Sequence, residues 1–282
     1  MLSKPSGAQL RRWLAVVGTV LGLLAPMLAA GCTAKPQRLL IYGDSIALES
    51  QRQLQSRGLE VRAFGGTALC DWLPDMRRTA ATGTVTTVYL EFVGNHFTPC
   101  ASSRSTVDAY RDDAREAVAL WHDAGARVVW IRAPQPRVDV GVAPRAPAPN
   151  ALTAAAATSA VSTPSPQHAG PMLTAALQAI ATAEIATNFD QVQAAAETAG
   201  SDAVVDTSPL IAPGRTFSRY VPCLPHEACG VMAPPGYNAA RAPDGLHLCP
   251  TATHASKGVI VGGCSVWSTS AQRFADEVAA AA

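Results

Sequence analysis

The chain is 282 residues long, 48% hydrophobic and 15% charged, with a formal net charge of +1. Such a composition excludes disorder of the whole chain and suits one domain with a sheet covered on both faces. Residues 1–31 hold Lys4, Arg11 and Arg12 and no acid, so the rest carries 19 basic against 21 acidic groups, and no basic patch marks a nucleic-acid binder.

The N-terminus reads as an address. Three basic residues precede an apolar run from Trp13 to Ala30, which closes on small residues and a cysteine, Ala29-Ala30-Gly31-Cys32. That layout resembles a bacterial lipoprotein signal, with cleavage after residue 31 and a lipid on Cys32. An uncleaved anchor is the alternative, because the run approaches the ~18 apolar residues of a spanning helix. Pro26 and the placing of Cys32 favour the lipoprotein. Arg11-Arg12 also leaves twin-arginine export open beside the general route. Either way the chain beyond is expected outside the cytoplasm, held at the outer face of the membrane.

After a tether over 32–37, Arg38 to Tyr42 reads as a buried strand closed by Gly43, and a helix with Leu48 and Leu54 follows, stopped by Gly58. A second strand is expected over Leu59 to Phe64, turned by Gly65-Gly66. Thr84 to Val93 is the strongest strand signal, rich in β-branched and aromatic residues and ended by Gly94-Asn95. Asp108 to Ala124 has helical periodicity, and Arg127 to Arg132 is a fourth strand. Residues 133–171 are mostly Ala, Pro, Ser and Thr and read as a long insertion loop within a single domain, 38–282. A helix over Leu173 to Thr198 leads into a fifth strand, Ala203 to Asp206. Alternating strands and helices predict an α/β fold with a parallel sheet wrapped on both faces, and sites in such sheets gather beyond the carboxyl ends of the strands.

Six cysteines follow Cys32, an even number in an oxidising compartment. Proximity in sequence favours Cys70 with Cys100, Cys223 with Cys229, and Cys249 with Cys264. A metal site at Cys223, His226 and Cys229, with His247 and Cys249 further on, is the rival, although the spacing is not that of a zinc site.

Three constellations can carry chemistry. Gly43-Asp44-Ser45 places a hydroxyl at the expected start of a helix, and a serine needs a base to take its proton. Asp244-Gly245-Leu246-His247 can supply that base, with the carboxylate fixing the tautomer of the ring. The amides of Ser45 and Gly66 and the side chain of Asn95 can donate to an oxyanion. Each alone is also an ordinary turn or strand end. Trp72 is either a pocket wall or packing, and His122, His168, His226 and His254 read as structural or solvated.

Taken in order, Gly-Asp-Ser after the first strand, Gly after the second, Gly-Asn after the third and Asp-x-x-His near the C-terminus resemble the four blocks of the SGNH/GDSL hydrolase family. The resemblance implies a flavodoxin-like three-layer fold without a cofactor or metal, with Ser45 as nucleophile, His247 as base, Asp244 as its partner, and Ser45, Gly66 and Asn95 as the oxyanion hole. The sequence departs from the family in Ile46 for Leu, in His96 after Asn95, and in the Gly65-Gly66 pair, which leaves the donor ambiguous by one residue. The extra cysteines resemble secreted actinobacterial members, in which a bridge beside the second and third blocks would brace the oxyanion hole. The implied activity is an acyl-enzyme esterase acting, as a monomer, on a lipid ester or an acylated envelope glycan. An O-acyltransferase using the same residues and a non-catalytic envelope-binding lipoprotein are the alternatives.

Overall fold

The computed structural model describes residues 37–137, 175–230, 233–242, 245–248 and 269–282. The expected signal segment with Cys32, nearly all of the 133–171 insertion, Asp244, and both Cys249 and Cys264 lie outside the described residues, as do His168 and His254.

The chain runs β1 (Leu39–Gly43), α1 (Ser45–Glu49), α2 (Gln51–Ser56), β2 (Leu59–Ala63), α3 (Leu69–Ala80), β3 (Thr87–Glu91), α4 (Thr106–Asp123), β4 (Arg127–Arg132), α5 (Ala175–Glu197) and β5 (Ala203–Asp206). Then come α6 (Ser208–Ile211), a small antiparallel pair, β6 (Tyr220–Pro222) with β7 (Tyr237–Ala239), and α7 (Thr269–Ala280). Strands one to five form a parallel sheet in the order β2-β1-β3-β4-β5. This is the doubly wound order whose connections reverse direction between β1 and β3, and the reversal opens a crevice there.

The period of two along each strand sorts the core into two layers. Leu40, Tyr42, Val88, Leu90, Val128 and Trp130 face α3 and α4, where Leu73, Met76, Tyr110, Val118 and Trp121 close the layer. Ile41, Tyr89, Val129 and Ile131 face the other way, onto Ile46 and Leu54 and onto Ala271, Phe274 and Val278 of α7. Helix α5 belongs to both, giving Val192 and Ala196 to the first layer and Ile185 and Phe189 to the second.

Most of this agrees with the sequence, but the short helix α6 and the β6–β7 pair after Asp206 were not expected, and other elements differ as well. The helix after β1 is broken at Ser50 into α1 and α2. Helices α3 and α7 were not anticipated: Pro74 interrupts the propensity of α3, although Leu69, Leu73, Met76 and Ala80 keep an i, i+4, i+7, i+11 stripe facing the core. Two of the expected disulfides are present, Cys70–Cys100 and Cys223–Cys229. The second engages two of the sulfurs in the rival metal reading, those of Cys223 and Cys229. The first joins the start of α3 to the loop after β3 and closes about 30 residues, worth about 3.5 kcal/mol in chain-entropy terms.

At Gly43 no side chain fits. A methyl group there would lie 2.4 Å from the Ala47 Cβ and 2.9 Å from the Glu91 carbonyl oxygen. Gly43→Ala is therefore expected to cost about 3 kcal/mol or to prevent folding, and urea denaturation of the variant measures the loss.

Candidate active site

The crevice between β1 and β3 is built around a carboxylate. Asp44 is fully buried and caps α1, its Oδ1 accepting from the Ile46 amide at 3.1 Å. Its Oδ2 accepts from the Val93 amide at 2.8 Å and from the Asn95 side-chain amide at 3.0 Å. One aspartate thus joins the turn after β1 to the segment after β3. Burial pushes Asp44 up to about 6, against the pull of the Val93 and Ile46 amides and of positive charge at His247.

Beside it lies Glu91, the last residue of β3, also fully buried. Its Oε2 accepts from the Ala47 amide at 3.1 Å, and Oε1 has no hydrogen-bond partner among the described residues. Burial first, then the Asp44 charge, hold Glu91 well above the usual carboxylate range.

Ser45 is the first residue of α1 and is 4% exposed. Its Oγ lies 3.0 Å from Nε2 of His247, a partner 202 residues away in the chain. His247 comes from a tight hairpin in which Arg241 bridges antiparallel to Leu248 and the Ala242 amide donates to the His247 carbonyl at 2.9 Å. Gly245 turns this hairpin at a φ of 78°, and a methyl group there would meet the Arg137 Cβ at 2.5 Å.

Several ties fix the hairpin. The buried Arg241 guanidinium donates to the carbonyls of Leu246, Pro134 and Gln135, and the Arg137 amide donates to the Gly245 carbonyl at 2.7 Å. Ser270 of α7 donates its hydroxyl to the Ala240 carbonyl at 2.6 Å, and Glu49 of α1 accepts from the Leu248 amide at 2.7 Å.

Asn95 is held equally firmly. Its Nδ2 also donates to the Thr67 carbonyl at 3.2 Å, and Tyr110 donates its hydroxyl to the Asn95 carbonyl at 2.8 Å. From α5, Gln193 donates to the Phe92 carbonyl at 2.8 Å, and Glu184 pairs with Nε2 of His96 at 2.8 Å.

The structure also bears on the glycine pair. Gly65 lies against the nucleophile, since a methyl group on it would stand 3.9 Å from the Ser45 Cβ, whereas one on Gly66 would meet nothing within 4 Å. Gly66, at a φ of 78°, makes the turn. Trp72 packs: its indole N–H donates to the Thr67 hydroxyl at 3.0 Å and its ring meets Tyr42 edge-on. His122 is partly exposed and pairs with Asp202, and His226 is exposed.

Ser45, Asn95, His247 and the Gly65-Gly66 turn are therefore gathered at one end of the sheet. Glu49, Glu91, Tyr110, Gln193 and Arg241 also support the site, and none of them stands in a motif that marks it. An acidic residue inside an otherwise apolar strand, as Glu91 is within Val88-Tyr89-Leu90-Glu91-Phe92-Val93, was the available signal.

No protein-family model matches this sequence, and neither does any curated protein. Solved structures do resemble it in part. A Bacteroides fragilis protein designated an acylhydrolase is 14% identical, with 76% of this chain and 80% of that one covered and a TM-score of 0.43. The catalytic domain of peptidoglycan O-acetyltransferase A from Streptococcus pneumoniae is 13% identical over 87% and 92%, at 0.42. A GDSL-like lipase from Bacteroides thetaiotaomicron is 12% identical over 79% and 86%, at 0.41. Likeness this distant says nothing of chemistry, for which the site's own atoms must speak.

The buried acids have a consequence for stability. The folded chain keeps protons on Glu91 and Asp44 at pH values where the unfolded chain has lost them, near pH 4. The stability this contributes is complete below about pH 4 and is lost as pH rises through the folded values, about 6 for Asp44. Glu91→Gln, neutral in both states, should flatten the decline by up to about 1.4 kcal/mol per pH unit. Urea midpoints of both proteins from pH 4 to 8 check this, and parallel curves would show that Glu91 is ionised in the fold.

Proposed function

We propose that the protein is an exported serine hydrolase of the SGNH/GDSL type that cleaves carboxylic esters through an acyl-enzyme. The observation that carries the reading is the 3.0 Å approach of His247 Nε2 to Ser45 Oγ, a hydroxyl and an imidazole brought together from opposite ends of the domain. That distance lies within the reach a general base needs.

In this mechanism Ser45 attacks the ester carbonyl while Nε2 of His247 takes its proton, and the tetrahedral intermediate collapses as the imidazolium returns that proton to the leaving alkoxide. Water, deprotonated by the same nitrogen, then releases the acid. Asp244, three residues before His247, is proposed to hold the other ring nitrogen. The oxyanion is proposed to take N–H donors from Ser45, from the Gly65-Gly66 turn and from Asn95. Asn95 would give up its longer bond, to Thr67, and keep the one to Asp44, so the buried aspartate aims the amide throughout. An alcohol in place of water would make the same cycle an acyl transfer.

The substrate we propose is a lipid ester or an acylated envelope glycan. Phe64 and Phe97, 42% and 37% exposed, belong to the same loops as Gly65 and Asn95, one residue and two residues away along the chain. Exposed rings beside a polar centre suit an acyl chain or the apolar face of a sugar. Lipid attachment at Cys32 would keep the protein at the membrane where such esters occur, and the two disulfides are at home in that oxidising space.

A fluorophosphonate probe tests the chemistry. The wild type should be labelled at Ser45, Ser45→Ala not at all, and His247→Ala should lower kcat on a nitrophenyl ester by about 10²- to 10⁴-fold. A folded wild type that resists labelling would instead favour a binding protein. Phe97→Ala should raise KM about 5- to 10-fold for long-chain esters while leaving kcat near its original value, as loss of uniform binding does.

A further inference from the structure

Resting on the reading of Ser45 and His247 just given, we propose that Glu49 is a positioning residue that sets the distance between nucleophile and base. Ser45 and Glu49 stand four residues apart on α1, so both side chains lie on one face of the helix, one turn from each other. That face meets the hairpin at two consecutive residues. Ser45 Oγ contacts the His247 ring at 3.0 Å, and Glu49 Oε2 accepts from the Leu248 amide at 2.7 Å. The imidazole is therefore referenced to the same rigid turn that carries the hydroxyl. The helical rise, not the 202-residue separation along the chain, fixes their distance.

The residue type argues the same way. Glu49 is fully buried, in a region where Asp44 and Glu91 are already buried acids. A third carboxyl raises the cost of closing this core, and an apolar residue would fill the space at lower cost. Asp44 and Glu91 bind amides of α1 and of the segment after β3. Glu49 reaches instead to the far end of the chain, where its oxygen gives the Leu248 amide a partner and holds the base-bearing strand to the helix.

The test compares Glu49→Gln with Glu49→Leu. Both remove the carboxyl group, but only leucine removes the acceptor. Leucine should lower kcat and the rate of fluorophosphonate labelling at Ser45 by about 30- to 100-fold, with KM changed less than about 2-fold, as a misplaced base would. Glutamine, accepting through Oε1, should restore kcat to within about 3-fold of the wild type. Equal kcat in the two variants, or a loss confined to KM, would overturn the assignment. Hydrogen exchange at the Leu248 amide of the wild type gives a readout independent of catalysis and of whether the leucine variant folds. Exchange only through global unfolding supports the clamp, and rapid exchange from the native state removes it. A wild type that is never labelled at Ser45 would refute the hydrolase reading instead, and the amide would still report on Glu49.

Discussion

A desolvated carboxylate is tolerable only where donors surround it, and the architecture around Asp44 follows from that requirement. Its two oxygens take N–H groups from Ile46, Val93 and Asn95, which belong to the turn after β1 and the segment after β3. Satisfying one side chain therefore fixes the start of α1, the end of β3 and the direction of a side-chain amide at once. Ser45 inherits its place from Asp44, because the residue after a helix cap has little freedom. Gly43 makes this possible by leaving room for Ala47 and Glu91 to close over the turn.

A second set of contacts brings the distant imidazole to this frame. Among its described residues the hairpin carries a single antiparallel bridge, between Arg241 and Leu248, and side chains from elsewhere in the fold hold it in place. Arg241 ties it to the extension of β4, Glu49 ties it to α1, and Ser270 ties it to α7. Each tie uses a side chain on one partner and a main-chain group on the other. Such bonds fix a loop without needing sequence matched across an interface. On the opposite flank, Glu184 and Gln193 of α5 and Tyr110 of α4 hold the stretch from Phe92 to His96.

How much of this the sequence disclosed differs with the range of the interaction. The central strands β1, β3 and β4 were legible because burial on both faces writes a dense apolar run such as Val128 to Ile131, the half-exposed edge strands β2 and β5 only as short runs between turn residues, and the α/β class followed from their alternation with helices. The blocks around Ser45, Asn95 and His247 could be read because short polar motifs at strand ends stand out against apolar neighbours. The one-residue ambiguity at Gly65-Gly66 could not be resolved from sequence, since both are glycine and only the approach to Ser45 distinguishes them. Helix α3 was obscured by Pro74, and α7 by the mixture of Ala, Asp, Glu and Arg in its face. The supporting acids were the hardest to see: Glu49 in isolation reads as a solvated helix residue, and its burial is a property of the tertiary fold.

The ion pair of Arg273 with Glu227 has a consequence for biogenesis. The two side chains are 3% and 1% exposed, and the guanidinium also caps the carbonyls of Leu210 and Pro222. Both Arg273 and Ser270, which secures the main chain just ahead of the hairpin, belong to the final helix. Ribosomes deliver the amino end first, so a nascent polypeptide stopped short of residue 269 buries Glu227 without its cation and leaves the hairpin untethered on that side. Closure of the fold around Glu227 and the hairpin thus waits for α7 to emerge.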